Sequence, residues 1–476
     1  MLLIASLLFY AWGEPKYVFL MLLTIAINWL FGLLIEGIPK LRTWFLALAV
    51  VSDLLILGYY KYFDLFAGTV DAVAGRELIT VKNIALPIGI SFFTFQAMSY
   101  VIDLYRGEYH AEKNVLHVAL YISLFPQLIA GPIVRYTDVR EQISNRTITP
   151  EKTTEGIRRF IYGLGKKVLL ANALAEVADT IYAMDVTQVT GKLAWTAAIF
   201  YMLEIYYDFS GYSDMAIGLG KMFGFDFLEN FNHPYTSTSI QEFWRKWHIS
   251  LGTWFREYLY IPLGGNKKGK LRTNINVLIV FAVTGFWHGA AYSFLLWGIY
   301  HGILQVIERL GWKNVLRKHH VFAWLYTMFA VMLGWVLFAV EDVTKALQLI
   351  KRILLPWQYT VSMHNYFEIV TNRSVVAAVL GLFGMGVVQD FLAKKEVKQA
   401  ILSWKNAVRD AFAKKDAMRP VIAEKNEAQE IPAKENGIQV TFPYSALDLF
   451  YCAVIFLLSV LSLAGNTYNP FIYFRF

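Results

Sequence analysis

The chain contains little charge and almost no cysteine. Charged residues make up only 17% of its 476 residues, against about a quarter in a typical soluble chain. The single cysteine, Cys452, has no partner for an internal disulfide and lies in an apolar run, where a thiol is a poor nucleophile. The composition therefore argues against a soluble domain, against a disulfide scaffold and against cysteine catalysis.

Several motifs of enzymes and transporters are also missing. The sequence has no phosphate-binding loop of the form G-x-x-x-x-G-K-[ST] and no G-x-S-x-G nucleophile elbow. It has neither an H-E-x-x-H pair nor a Cys/His cluster, so we expect no metal site and no bound cofactor. No internal repeat is visible, which weakens the alternative of a non-enzymatic transporter built from inverted repeats.

Long apolar runs take the place of these features. The chain is 57% hydrophobic, and many windows reach the length of about 18 residues that spans a hydrocarbon core. The runs lack strand-like alternation, and only helices and closed barrels satisfy the backbone in lipid. We therefore predict an all-α, polytopic integral membrane protein of about 10–13 helices, counted from segments with these approximate limits: 2–12, 16–36, 43–60, 84–105, 114–134, 157–175, 192–220, 274–290, 292–309, 321–340, 374–392 and 446–464.

Some of these helices are interrupted. Proline and glycine fall inside the apolar segments LPIGISFFTF (86–95) and FPQLIAGPIV (125–134). Non-helical backbone at membrane depth is stable only against protein or beside a water-filled cavity. The interruptions therefore predict a central tunnel.

The basic balance of the chain fits a membrane topology. The formal net charge is +8. Lys and Arg collect in the cytoplasmic loops of membrane proteins, where they also meet anionic lipid. We therefore expect membrane lipid as a partner and no nucleic acid.

Two polar stretches divide the chain. Residues 230–273 are rich in Trp, Tyr and basic residues, which favours one or two surface or re-entrant helices within a membrane core of residues 1–392. Residues 393–443 combine a basic amphipathic helix with a charged linker, as expected on a cytoplasmic leaflet. Residues 444–476 then supply a last transmembrane helix and an extracytoplasmic aromatic tail, NPFIYFRF.

Two histidines are the best catalytic candidates. His288 lies in the apolar run TGFWHGAAYSF, where an ionisable side chain is costly and commonly marks a functional site. A buried neutral imidazole can take the proton of a hydroxyl group, although His288 could equally be a structural polar anchor. His248, in WRKWHISL, is either an interfacial histidine between tryptophans or a second imidazole in the same cavity.

Two further features have alternative interpretations. Asp208 and Ser210 interrupt the apolar stretch YYDFSGYSDMAIGLG, where they either join helices by hydrogen bonds or serve a substrate. The tail offers a single phenol, Tyr473, among apolar side chains. It either anchors the chain at the membrane interface or accepts a group.

Three blocks of the sequence carry a family resemblance. The combination of DFSGYSDMAIGLG, NHPYTSTSIQEFWRKWHISLGTWFREYLYIPLGGN and TGFWHGAAYSFLLWG resembles the membrane-bound O-acyltransferases. Within that family it is similar to the bacterial branch of alginate and peptidoglycan O-acetyltransferase membrane subunits. The resemblance covers most of residues 1–392 and the final residues. Family members usually carry a further apolar segment before a stretch like LLIASLLFYAWG, which begins here almost at Met1.

The resemblance implies a function and roles for individual residues. It implies that His288 is the catalytic base and His248 the second catalytic position, with cytoplasmic acetyl-CoA as the donor substrate. The aromatic tail is similar to a family motif whose tyrosine is proposed to carry the acyl group, which implies Tyr473 as an acyl relay. We expect the substrate or the tunnel to be lined by Asp208, Ser210, Asn232, Glu242, Trp244, Arg245 and Trp287.

The resemblance also implies a place in the cell and a partner. It predicts a multi-pass O-acetyltransferase of the bacterial cytoplasmic (inner) membrane that passes acetyl groups outward for O-acetylation of an extracytoplasmic polysaccharide. An extracytoplasmic SGNH-type, esterase-like protein is the expected partner. Two alternatives stay open: D-alanyl transfer to teichoic acid, and a non-enzymatic transporter or scaffold.

Overall fold

The computed structural model describes residues 1–129, 131–361, 364–386, 390, 446–465 and 470–471. The predicted amphipathic helix and linker over 393–443 lie outside these residues, as does Tyr473. In the described part, the regular elements are helices, and the only β-type pairing is one isolated antiparallel bridge between Phe231 and Trp247. The all-α prediction is confirmed.

The first half of the chain forms eleven α-helices within the described residues. One of them, α11, has 32 residues and is therefore about 48 Å long. The predicted interruption of segment 114–134 is present, because the chain leaves the helix at Leu124 before Pro126. The helices are α1 Leu2–Gly13, α2 Val18–Gly37, α3 Arg42–Leu57, α4 Phe63–Ala74, α5 Ile90–Arg106, α6 Val115–Ser123, α7 Phe125–Leu128, α8 Tyr136–Asn145, α9 Pro150–Gly165, α10 Asn172–Ala183 and α11 Gly191–Met222.

The second half contains the hairpin that carries the site. Helices α14 and α15 form this hairpin, and a last helix, α21, follows the undescribed stretch. The helices are α12 Ile240–Lys246, α13 Ile249–Phe255, α14 Gly269–His288, α15 Tyr292–Ile307, α16 Lys313–Leu316, α17 His320–Ala339, α18 Val343–Leu354, α19 Tyr366–Ile369, α20 Asn372–Gly384 and α21 Ala446–Gly465. Short 3-10 turns lie at Pro39–Leu41, Val186–Gln188, Pro234–Thr236 and Pro356–Gln358.

Among the described residues, four helical stretches are long and apolar enough to cross a membrane. They are Val18–Gly37, Pro39–Ala74, His320–Ala339 and Leu447–Gly465. Other predicted segments, such as α5 and α11, form helices that carry polar residues and are mostly buried by their neighbours. Hydropathy falls in such helices because they face the protein interior instead of lipid.

In the part of the chain that the structure describes, four stretches of π-helix widen longer helices. They lie at Gly58–Tyr62, Lys166–Ala171, Arg256–Tyr260 and Glu308–Trp312. Single π turns within α-helices are frequent at functional sites, because they turn a side chain away from the regular face. Two of them present a buried lysine, Lys61 and Lys167.

Helices α14 and α15 approach each other backbone to backbone. A Cβ atom added at Gly285 would lie 2.3 Å from the carbonyl oxygen of Phe294, and one at Gly298 would lie 2.2 Å from that of Phe281. Only glycine permits this separation, which is a common way for membrane helices to pack. The contact fixes the last turn of α14, where His288 lies.

Candidate functional site

His288 is the last residue of α14. Gly289 follows in an extended conformation, so the helix ends there. The side chain is 4% exposed, and its ring meets aromatic rings on three sides. Ring centroids lie 4.9 Å away at Trp287, 5.1 Å at Trp297 and 5.2 Å at Phe338. The imidazole is therefore held in an apolar setting that excludes bulk water.

A buried lysine holds the end of this helix. The Nζ atom of Lys61 donates to the carbonyl oxygens of Trp287, at 2.6 Å, and His288, at 3.0 Å. Its third contact is the hydroxyl oxygen of Ser91, at 3.2 Å. The π turn Gly58–Tyr62 places this lysine at the far end of α3 from the basic residue Arg42.

A small cavity of about 70 Å³ opens at this point, and we call it the outer cavity. It is lined by both Lys61 and His288, together with the chain before and at the start of α5. Gly89, which caps α5 with a positive φ of 76°, forms part of its wall. The full lining is Lys61, Leu86, Pro87, Ile88, Gly89, Ile90, Ser91, Phe92, Ile129, Trp287 and His288.

His248 has the opposite relation to its helix. It precedes the first residue of α13 and adopts a left-handed conformation with φ 47°. A non-glycine residue in this region is strained, and such strain persists only where the surroundings enforce it. The bridge between Phe231 and Trp247, and the hydrogen bond from the Ile249 amide to the Asn230 carbonyl at 2.9 Å, enforce it here.

Asn230 fixes the ring of His248. Its Oδ1 atom lies 3.1 Å from Nδ1 of His248 and also accepts from the amide and the hydroxyl of Ser250, at 3.2 and 2.9 Å. Because a backbone amide can only donate, Oδ1 is the amide oxygen, and Nδ1 of His248 must carry a proton to reach it. In the neutral ring, Nε2 is then the basic nitrogen.

His248 lines a second cavity of about 280 Å³, which we call the inner cavity. Its walls are mostly aromatic and aliphatic, whereas Arg245 and Arg309 are its two cationic lining residues. A neighbouring polar cavity of about 490 Å³ shares Gln241 and Arg309 with it and adds Lys270 and Lys313. The inner cavity is lined by Gln241, Trp244, Arg245, Trp247, His248, Leu251, Gly252, Phe255, Val280, Phe281, Thr284, Gln305 and Arg309.

Trp287 connects the two histidines. Its ring centroid lies 4.9 Å from that of His288 and 6.4 Å from that of His248. Its Nε1 atom is buried and has no hydrogen-bond acceptor among the described residues. The structure thus brings together three of the predicted site residues and adds one buried N–H donor that a substrate oxygen could use.

Asp208 belongs to a different region. It is 2% exposed and forms an ion pair with Lys167, whose Nζ atom also donates to the carbonyl oxygen of Pro470 at 3.0 Å. The same ammonium lies 4.8 Å from the ring centroid of Phe471, and Tyr212 meets that ring edge to face at 4.8 Å. Asp208 therefore lies where the C-terminal tail enters the protein.

A cavity of about 570 Å³ surrounds this entry, and we call it the tail cavity. Its lining includes Lys167, Tyr212 and Phe471. Ile129 also lines it, and the same residue lines the outer cavity beside His288. The tail cavity and the outer cavity therefore share Ile129 as a lining residue.

The other predicted site residues differ in position. Trp244 and Arg245 line the inner cavity, but Asn232 is exposed and lines neither histidine cavity. Ser210 is buried in α11, and its hydroxyl has no hydrogen-bond partner in the described part of the chain. Glu242 closes the first turn of α12 by accepting from the amide of Thr238.

The carboxyl group of Glu242 is held in its charged form. Burial opposes ionisation, but hydrogen bonds from the Thr238 amide and from Lys246 outweigh it and lower the pKa of Glu242 below its ordinary value. The Lys246 ammonium lies 2.9 Å from the carboxylate. These contacts give Glu242 a structural part in the segment that presents His248.

Several residues of the site were not predicted from the sequence. Lys61 and Lys167 carried a detectable signal, since each is a lysine within or beside an apolar helix. Asn230 carried none, because an asparagine in a polar loop is ordinary. Asn230 lies only two residues from Asn232, which is the asparagine that the sequence analysis predicts to line the substrate or the tunnel.

Comparison with known proteins shows the family to which this chain belongs. The family model for membrane-bound O-acyltransferases matches residues 90–341, which include both histidines. The probable alginate O-acetylase AlgI of Pseudomonas syringae pv. tomato is 38% identical over 495 residues, covering 100% of this chain and 94% of that protein. The peptidoglycan O-acetyltransferase of Helicobacter pylori is 35% identical over 386 residues, covering 74% and 72%.

A more distant relative is the teichoic acid D-alanyltransferase of Bacillus subtilis. It is 28% identical over 283 residues, covering 54% of this chain and 69% of that protein. The family model and the two nearer relatives together decide the assignment. The chain belongs to the membrane-bound O-acyltransferase family, and it is a multi-pass membrane O-acyltransferase.

Proposed function

We propose that this protein takes acetyl groups from cytoplasmic acetyl-CoA and passes them across the membrane for O-acetylation of an extracytoplasmic polysaccharide. One observation carries the proposal. An inner cavity with arginines in its lining reaches His248, a separate outer cavity reaches His288, and Trp287 contacts both rings. This arrangement suits a donor and an acceptor that arrive from opposite sides.

The distribution of basic residues supports the direction of transfer. Helix α14 begins in the sequence NKKGKLRT, and α17 begins at the last residue of RKHH, so both starts are expected on the cytoplasmic side. His288 is the last residue of the 20-residue helix α14, which is about 30 Å long. On this orientation the inner cavity faces the cytoplasm and the outer cavity faces outward.

The donor side has the chemistry that coenzyme A requires. Arg245 and Arg309, with Lys270 and Lys313 in the adjoining cavity, supply positive charge for phosphate groups. The apolar walls between Trp244 and Phe281 suit the thioester arm. The acetyl carbon then lies near His248 and Trp287 at the inner end.

The reaction follows from the groups that meet there. The acceptor hydroxyl transfers its proton to His288 as its oxygen attacks the acetyl carbon. The tetrahedral oxyanion accepts a hydrogen bond from Nε1 of Trp287. The C–S bond then breaks, the new C–O ester remains, and the thiolate leaves with the proton from His288 as coenzyme A. His248 lines the inner cavity and positions the thioester beside Trp287.

The tail is the proposed first acceptor. Lys167 and Tyr212 hold Pro470 and Phe471, and Tyr473 follows within two residues, a span of at most about 7 Å. The phenol has a pKa near 10, so its acetyl ester is a more activated donor than an alkyl ester. Such an ester can pass its acetyl group to a hydroxyl nucleophile on an extracytoplasmic, SGNH-type partner.

The proposal for the polymer rests on similarity. The relatives named above act, by their names, on alginate and peptidoglycan, so a polysaccharide of this kind is the proposed end acceptor. D-alanyl transfer to teichoic acid is the alternative, favoured by the more distant relative. Hydrolysis of the modified polymer and identification of the released acid decide between them: acetate supports the proposal, and D-alanine would replace it.

The histidine assignment is tested by substitution in the whole protein. We expect His288→Ala to insert and fold normally but to abolish polymer acetylation. His319→Ala, in the exposed segment RKHH, is the matched control and should retain activity. Normal acetylation by the His288 variant would refute the mechanism.

The tail assignment has its own test. Tyr473→Phe removes only the phenolic oxygen, so it should stop acetyl transfer to the polymer while leaving the protein intact. Tyr451→Phe, at an exposed tyrosine of α21, is the control. If the Tyr473 variant acetylates the polymer normally, the tail is an anchor and the acceptor hydroxyl belongs to another molecule.

A further inference from the structure

We propose that Lys61 is the positioning residue of this active site. It ties α3 to the end of α14 and thereby fixes the catalytic imidazole of His288. The inference rests on the proposed function, because it concerns the acetyl-transfer step that His288 performs. It adds a residue that neither the family resemblance nor the sequence had selected.

The contacts of Lys61 are unusual for a buried lysine. The residue is only 8% exposed, and none of the ion pairs among the described residues includes it. Its three N–H donors instead meet three neutral acceptors, the Trp287 and His288 carbonyls and the Ser91 hydroxyl. A charge in an apolar protein interior is costly, and an apolar side chain of similar volume is commonly at least as stabilising. Folding alone therefore gives little reason for a lysine here.

The unsatisfied carbonyl groups at the end of α14 explain the role of Lys61. The last carbonyl groups of a helix lack intrahelical donors and carry the negative end of the helix dipole. Gly289 is extended and does not wrap back to satisfy them. Lys61 binds two of these carbonyls at once, and one belongs to His288 itself. Its ammonium thus fixes the backbone from which the imidazole projects.

The lysine also stays close to the reacting groups. It lines the outer cavity together with His288, and its Nζ atom lies 5.8 Å from the ring centroid of Trp287. A displacement of about 1 Å in a reacting group can cost about 100-fold in rate. Losing the tie between α3 and α14 should therefore slow acetyl transfer without weakening donor binding, since the inner cavity lies on the other side of Trp287.

Lys61→Met tests the positioning role, because methionine keeps most of the volume and removes the ammonium. We expect kcat for acetyl transfer to fall by about 100-fold and the KM for acetyl-CoA to stay unchanged. Ser91→Ala removes one of the three acceptors and should lower kcat by about 2- to 10-fold. Lys82→Met, at an exposed lysine, should behave as native protein.

Chemical rescue separates the ammonium from mere packing. Lys61→Ala leaves a space that ethylammonium can enter, so added ethylamine should restore part of kcat, with the uncatalysed reaction of the amine subtracted. It should not restore Lys61→Met, in which the space is filled. Monodisperse behaviour of each variant in detergent controls for folding.

The outcomes distinguish this inference from the proposed function. If Lys61→Met retains native kcat while His288→Ala is inactive, the positioning role is wrong and the proposed function stands. If Lys61→Met instead raises KM with kcat unchanged, the lysine acts on the donor and the inference is equally overturned. If His288→Ala is active, the proposed function itself fails.

Discussion

The two histidines occupy opposite ends of helices and are held by opposite means. His248 precedes α13, and its ring is bound directly by Asn230. His288 ends α14, and its backbone carbonyl is bound by Lys61 from a distant helix. The inner histidine is therefore oriented by its own loop, whereas the outer histidine depends on the packing of helices far apart in sequence.

This difference predicts which step of acetyl transfer is disturbed when each site is altered. Damage to the inner site should disturb the position of the donor. Damage to the outer site should disturb the chemical step, because the imidazole that takes the proton moves with α14. The following experiments separate the two sites, beginning with the largest expected effect.

Substitution of the two histidines should give unequal losses. His288→Ala removes the general base and should lower acetyl transfer by about 1,000-fold, within the usual range for such a group. At that residual rate, polymer acetylation and labelling of the tail should fall below detection. His248→Ala should cost roughly 10- to 100-fold, since it only positions the thioester. Single-turnover measurement with labelled acetyl-CoA checks both. Equal losses would mean that the histidines act as one unit.

Adding a methyl group between α14 and α15 should lower the stability of the protein more than it lowers the rate of acetyl transfer. In Gly285→Ala the new methyl group would lie 2.3 Å from a backbone oxygen, so the helices must separate, at a cost of roughly 1–3 kcal/mol. Gly68→Ala, where a Cβ meets no described atom within 4 Å, is the control. Thermal unfolding in detergent should show a lower midpoint for the first variant alone.

Asn230→Ala should lower kcat for the same reason as His248→Ala, but by a smaller factor. Asn230→Ala breaks the hydrogen bond to Nδ1 that fixes the tautomer, so we expect a loss of about 10-fold in kcat. Combined with His248→Ala it should add nothing, because the asparagine acts through that ring. A full additional loss in the double variant would show a separate role for Asn230.

The sequence predicted the parts of this site that are local. The cost of a histidine in an apolar run singles out His288, and the family resemblance adds His248; the structure places both in buried cavities, and their catalytic roles stay predictions. The short helices α12 and α13 were expected from the polarity of residues 230–273, although their placement at the membrane surface stays a prediction.

The sequence could not predict contacts that depend on tertiary packing. Lys61 is 227 residues from His288, and no local pattern joins them. Lys167 and Asp208 are 41 residues apart, and periodicity alone could not show that each would meet the other beside the tail. The chemistry of Asp208 predicts a position along the substrate path, yet the structure pairs it with Lys167 beside the tail and away from the histidines.

The charges at the inner cavity should give the smallest effects. Arg245→Gln and Arg309→Gln each remove one charge from the donor entrance and should raise the KM for acetyl-CoA by a factor of about 2 to 10, with kcat unchanged. The effect should shrink at high salt, because exposed charges are screened. A fall in kcat without a change in KM would place these arginines in the chemical step.

Labelling of the tail from one face of the membrane tests the central claim most directly. Labelled acetyl-CoA is supplied to one face of oriented proteoliposomes, and the C-terminal peptide is analysed by mass spectrometry. We expect an acetyl ester on Tyr473 only when the donor reaches the face that carries the basic loops, and none in His288→Ala. An acetylated tail in the His288 variant, or labelling from the opposite face alone, would contradict the account.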